Sequence, residues 1–212
     1  MHNKANSADA KSRAADLRRS AKTKKMLKLR EDFELLRNHC IEIRHNFNTY
    51  TTLFKDENRE ILSKVAATFF SEIAEILHRD WILQACKLMD PAITKRQGTE
   101  LENITIQLIN NQLEAESLLN SEIENVTKSI LQYGRKIKPA RNKRLAHYDR
   151  EYQVKELTLG QTTEEELFNF LFDIQKYCDL VGGTIGIGPL DFSCSSCSGD
   201  VLDFLKYLHD NS

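Results

Sequence analysis

From Met26 to Phe54, apolar residues return at alternating steps of three and four: Met26, Leu29, Phe33, Leu36, Cys40, Ile43, Phe47, Tyr50 and Phe54. That rhythm marks one face of a long α-helix. At about 1.5 Å per residue the helix would reach on the order of 45 Å, longer than a small domain needs for its own core. The seam packs within a bundle of its own chain for most of its length, or part of it faces another subunit. Only three prolines and eight glycines interrupt the 212 residues, four of the glycines between Gly182 and Gly188, which favours long helices over many short strands. The expected class is all-α, a helical bundle with a long N-terminal helix.

The remaining patterns agree. After Asp56, the residues Ile61, Leu62, Val65, Phe69, Ile73, Ile76 and Leu77 predict a second helix, extended by Trp81 and Leu88 and stopped by Asp90 and Pro91. Ala92 to Thr99 reads as a polar loop. Ile104, Leu108, Leu119, Ile123, Val126, Ile130 and Tyr133 mark one or two helices, ended by Gly134. Pro139 fits the first turn of the next helix, where its missing amide proton costs nothing. Thr163 and Glu166 form a capping-box pattern ahead of the stripe Leu167, Phe170, Leu171, Ile174, Cys178 and Val181. The glycine stretch GGTIGIG lacks the strand and lysine of a phosphate loop and reads as a flexible connector. A short closing helix carries Val201, Leu202, Leu205 and Leu208, and no strand pair is expected. Three parts follow: a basic, mobile or loosely helical arm at 1–25, a helical domain at 26–181, and a glycine-rich linker with a short helix at 182–212.

Charge is uneven. Residues 1–25 carry eight Lys or Arg against Asp9 and Asp16, a net +6, so the rest of the chain sums to −7 within a total of −1. No compact apolar run follows this basic start, which argues against a secretory signal or a spanning helix and for a cytoplasmic protein without membrane contact. The cysteines number five, an odd count scattered as Cys40, Cys86, Cys178, Cys194 and Cys197, and point to reduced thiols. Cys194 and Cys197 have zinc-type spacing, but a second such pair is missing. There is no HExxH, no GxSxG and no carboxylate cluster on one helix face, and nothing asks for a metal or a cofactor.

Chemistry concentrates in RNKRLAHYD, residues 141–149. An arginine fork grips phosphate oxygens in pairs and stays charged, while a histidine titrates near neutrality and moves protons. On a helix, Arg141 and His147 point about 120° apart with roughly 9 Å of rise between them, so they do not make a compact pair alone. Lys143 and Arg144 sit one helical turn before His147 and would lower its pKa, leaving a neutral base. Arg135, Lys136 and Lys138 extend the positive charge, which suits salt-sensitive RNA binding, and Tyr133, Tyr148 and Tyr152 are candidates for stacking on unpaired bases. The plain alternatives are solvated charge, core or rim tyrosines, and a structural histidine.

The segment RNKRLAH, with its amide directly after the arginine and the histidine closing it, resembles the signature of the HEPN superfamily, nearest to its abortive-infection AbiU-type branch. LQACKLMDPA at 83–92 resembles the acidic-proline helix end of that branch. The resemblance implies an all-α bundle that dimerises and joins two motifs into one metal-independent ribonuclease site. Arg141 would steady the charge on the phosphate, Asn142 would orient it, and His147 would be acid and base. Arg135, Lys136, Lys138, Lys143, Arg144 and Tyr148 would contact RNA. Such proteins act as toxins or antiphage effectors held by a cognate antitoxin. Some carry a regulatory tyrosine two positions after the histidine; here Asp149 takes that place and Tyr148 is adjacent, which argues against that control. The competing readings are a noncatalytic RNA-binding or protein-interaction module of the same fold, and a helical regulatory partner that zips through the Met26 to Phe54 seam.

Overall fold

The structure, a computed structural model, describes residues 3–142, 161–193 and 197–211, with side chains from residue 19 onward. In chain order these form α1 (Asn3–Leu53), a single 3-10 turn, α2 (Arg59–Leu88), β1 (Ile93–Arg96), β2 (Thr99–Glu102), α3 (Ile106–Ala115), α4 (Ser121–Ala140), α5 (Glu164–Ile185) and α6 (Val201–Asp210).

The bundle is built on α1. Leu29, Phe33, Leu36, Cys40, Ile43 and Phe47 are all buried, and the helices packed against them are α2, α3 and α5. Each such side chain contributes roughly 1.5–3 kcal/mol by leaving water. A second, smaller core lies at the far end of α1, where Leu53 meets Ile61, Leu62 and Phe70 of α2 and Leu205 and Leu208 of α6. The helix also extends unbroken back to Asn3, through the stretch expected to be a mobile or loosely helical arm.

Three local expectations are corrected. The apolar stripe of α2 changes phase, because Ala66 leaves helical geometry at φ −164° and ψ 73°. Phe70 is therefore buried while Val65, Phe69 and Ile76 are about half exposed. Second, the polar loop is a hairpin: Ile93 pairs with Glu102 and Arg96 with Thr99 in an antiparallel ladder. Gln97 and Gly98 both take positive φ, 50° and 81°, as a two-residue turn matched to strand twist requires. Third, Gly134 and Pro139 lie inside α4 and neither ends nor begins a helix.

The capping box at the start of α5 is present as read, with the Thr163 hydroxyl accepting from the Glu166 amide and the Glu166 carboxylate accepting from the Thr163 amide. At its other end the glycine stretch is a helix terminus rather than a flexible connector. Gly182 and Gly183 are helical, Gly186 turns left-handed at φ 73°, and the amide of Ile187 reaches back to Gly182 at 2.9 Å. Arg30 of α1 donates twice to the Ile185 carbonyl, at 3.0 and 2.8 Å, and so satisfies the end of α5.

Gly182 and Gly183 give a paired test of this turn. A Cβ on Gly182 would stand 2.4 Å from the backbone oxygen of Gly188, whereas one on Gly183 meets nothing within 4 Å. Gly182→Ala is expected to destabilise by about 1–3 kcal/mol through overpacking, and Gly183→Ala to be stabilising by about 0.5–1 kcal/mol through helix propensity. Urea unfolding of both variants checks the contrast; equal effects would contradict the terminus geometry.

Candidate nucleic-acid site

Helix α4 carries the first of the sequence-predicted site residues. The side chain of Asn120 caps it, accepting from the amides of Glu122 and Ile123 at 3.1 and 3.0 Å, and the acidic first turn complements the helix dipole. Ile123, Val126, Ile130, Tyr133, Ile137 and Ala140 turn inward at helical spacing. Arg135, Lys136 and Lys138 are left on the exposed side. These three expected RNA contacts are thus exposed, spread over the part of α4 that does not face the core. Lys136 is engaged there by Glu166, and the hydrogen bond from Lys136, helped by the Thr163 amide, holds the Glu166 carboxyl below its ordinary pKa.

Past Ala140 the helix widens into a π-type turn at Arg141 and Asn142. Such turns are frequent at functional sites. The guanidinium of Arg141 grips Asp90 with two bonds, Nη2 to Oδ1 at 2.7 Å and Nη1 to Oδ2 at 3.3 Å. The two side chains are 21% and 25% exposed, so the pair sits at the rim of the protein rather than deep within it. Arg141 Nε is buried and has no hydrogen-bond partner among the described residues. Asn142 is half-buried beside it. His147, Lys143, Arg144 and Tyr148 lie outside the described residues, as do Asp149 and Tyr152.

The partner Asp90 follows the end of α2, and packing explains how it reaches α4. Gly134 leaves a gap that Met89 fills: a Cβ there would lie 2.1 Å from the Met89 sulfur. Close approach of the two helices at that point puts Asp90 within range of Arg141. One turn before Asp90, Cys86 is buried, and burial pushes its thiol up to about 11, against the opposing pull of Arg141 and Lys138. The thiol is protonated and unreactive at neutral pH.

Sequence reasoning read Asp90 only as a helix stop and missed its bond to Arg141. A signal was present. A carboxylate after the last turn of a helix faces the negative end of the dipole, and calls for a cation to offset it. Tyr133, expected as a base-stacking surface, is instead a core residue: its ring stacks on Phe170 at 4.6 Å and meets the edge of Trp81 at 6.2 Å. Cys197 is exposed and Cys194 lies outside the described residues, and no group of three metal-ligating side chains occurs among the described residues. No described helix is long and apolar enough to cross a membrane.

Set against known proteins, residues 26–202 match the AbiU2 family of HEPN domains. The matched span contains both Asp90 and Arg141, and it begins where the core stripe of α1 begins. No curated protein and no solved structure matches the chain.

The buried thiol makes stability fall at high pH. An unfolded thiol loses its proton near pH 9 while folded Cys86 keeps it to about 11, so between those values the native state binds more protons and is destabilised as pH rises. Tyr133, pushed by burial to about 12, adds to the same trend. The urea midpoint is expected to drop between pH 8 and 10.5, and to drop less in Cys86→Ala. Identical declines in the two proteins would contradict the assignment.

Proposed function

Because the chain belongs to the AbiU2 family of HEPN domains, which is associated with abortive infection, we propose that it is a metal-independent endoribonuclease acting as a toxin or antiphage effector. In this reading a homodimer brings two motifs together over one RNA linkage. The neutral imidazole of His147 takes the proton of a ribose 2′-hydroxyl, and the freed oxygen attacks the adjacent phosphorus. The bond from phosphorus to the 5′ oxygen breaks. The partner's His147, in its protonated form, gives the leaving oxygen its proton, so the products end in a cyclic phosphate and a 5′-hydroxyl. Arg141 steadies the charge that builds on the phosphate and Asn142 orients it. Lys143, Arg144 and Tyr148 complete the RNA contacts, and a cognate antitoxin holds the activity in check.

The observation that carries this reading is the setting of Arg141. Its guanidinium stands at the rim, in a π-type turn, one helical turn after the exposed Lys138. The half-exposed Phe69 and Ile76, about 20° apart on α2, offer one apolar face that a second copy would cover. One observation favours the second reading, a noncatalytic RNA-binding or protein-interaction module: the Arg141 fork is occupied by Asp90, and a phosphate must displace or share that carboxylate.

Cleavage of total RNA separates the two. His147→Ala and Arg141→Ala are each expected to lower the rate at least about 100-fold with helix content unchanged by circular dichroism, and cleavage survives excess EDTA. Loss of cleavage on chelation with recovery on adding metal would contradict the mechanism, and growth arrest undiminished in His147→Ala would favour the noncatalytic module.

A further inference from the structure

Helix α1 starts well before the bundle does. Its buried stripe begins at Leu29, with Met26 half-buried ahead of it, yet the helix reaches back to Asn3, an extension of roughly 35 Å at 1.5 Å per residue. The family match also begins at residue 26, so this extension lies outside the matched span.

The charges on the extension are ordered. At about 100° per residue, five of the eight cations, Lys4, Lys11, Arg18, Lys22 and Lys25, fall within an arc of roughly 60°, while Arg13, Arg19 and Lys24 fall outside it. Asp9 and Asp16 fall on the opposite side by the same count. At the root of the extension, Lys28 bonds to Glu102 of β2 at 3.0 Å, and Glu102 pairs with Ile93 of β1. The extension therefore leaves the bundle beside the β1–β2 hairpin.

What such a helix can hold follows from what it lacks. Besides alanines, residues 3–25 contain a single larger apolar residue, Leu17. A helix that lies in a lipid surface needs a broad apolar face, and a coiled coil needs apolar residues at its seam positions. Neither is present. What remains is a helix of net charge +6 with most of its cations on one side, on a chain whose remainder is acidic, which is complementary to a polyanion.

We propose that the N-terminal extension of α1 is an RNA-docking helix that binds the phosphate backbone without sequence preference. The class of ligand rests on the ribonuclease reading, but the docking itself is independent of cleavage. Five neutralised phosphates on a single strand give a salt slope of about 3.5 in log affinity against log salt.

The test uses the full chain carrying His147→Ala, so that the probe stays intact, and a labelled single-stranded RNA oligonucleotide read by fluorescence anisotropy across a salt series. Replacing Lys4, Lys11, Arg18, Lys22 and Lys25 by Gln, a good helix former, is expected to weaken binding at least about tenfold at low salt and to lower the slope by about 3 to 4. The pair Lys22→Gln and Lys25→Gln alone should lower it by about 1.4, which covers a quintuple variant that loses helix content. An unchanged slope in both variants would overturn the proposal, as would binding to vesicles rich in phosphatidylserine as tight as to RNA. Failure of cleavage in the unaltered chain, with the slope change intact, would overturn only the nuclease reading.

Discussion

One buried face of one helix organises this protein. The stripe from Leu29 to Phe47 is the common wall on which α2, α3 and α5 rest, and the end of α1 adds α6. Helix α4 is placed indirectly, by packing on α2 and α5. Its C-terminal end, where the motif begins, is therefore positioned by what joins it to those two neighbours. Aromatic contacts among Trp81, Tyr133 and Phe170 fix its middle, and Met89 against Gly134 fixes its distance from α2. The two bonds between Arg141 and Asp90 then fix its end.

That arrangement gives the motif arginine two competing uses. An arginine fork has five donors in a plane and can serve a carboxylate and still present an edge to a phosphate. Asp90 takes the two terminal nitrogens, holding the guanidinium in one orientation at modest exposure and at the loss of part of its positive charge. A carboxylate that pre-orients the fork lowers the entropy of gripping a phosphate; a carboxylate that will not yield blocks it.

Much of the fold was legible in the sequence, and the misses have local physical causes. The α1 stripe and the Thr163–Glu166 cap could be read because each depends on residues a turn apart. In α2 the period fails at Ala66, so a reading in constant phase exposed Phe70 and buried Phe69, the reverse of the structure. The hairpin gave no alternating signal because all eight of its strand residues are exposed, and its Gln97–Gly98 turn is a weak form of the usual sequence cue. Gly134 reads as a stop until Met89 is seen to fill its place, a contact 45 residues distant in the chain. For the site, Pro139 suggested that the motif opens a helix of its own, whereas Arg141 follows the C-terminal end of α4, and His147, Lys143, Arg144 and Tyr148 fall outside the described residues. The place of Asp90 at a helix C-terminus signals that a cation is needed, but not that Arg141 supplies it, since no local pattern joins residues 90 and 141.

The claim that the motif arginine is fastened to the fold by Asp90 is tested most directly by a double-mutant cycle. Unfolding free energies of the unaltered chain, Asp90→Ala, Arg141→Ala and the double variant give the coupling between the two side chains. The geometry predicts a coupling of at least about 1 kcal/mol, as for residues sharing one charged, paired hydrogen bond. Effects that add to within about 0.5 kcal/mol would contradict it, and would mean that Arg141 is held by something other than this carboxylate.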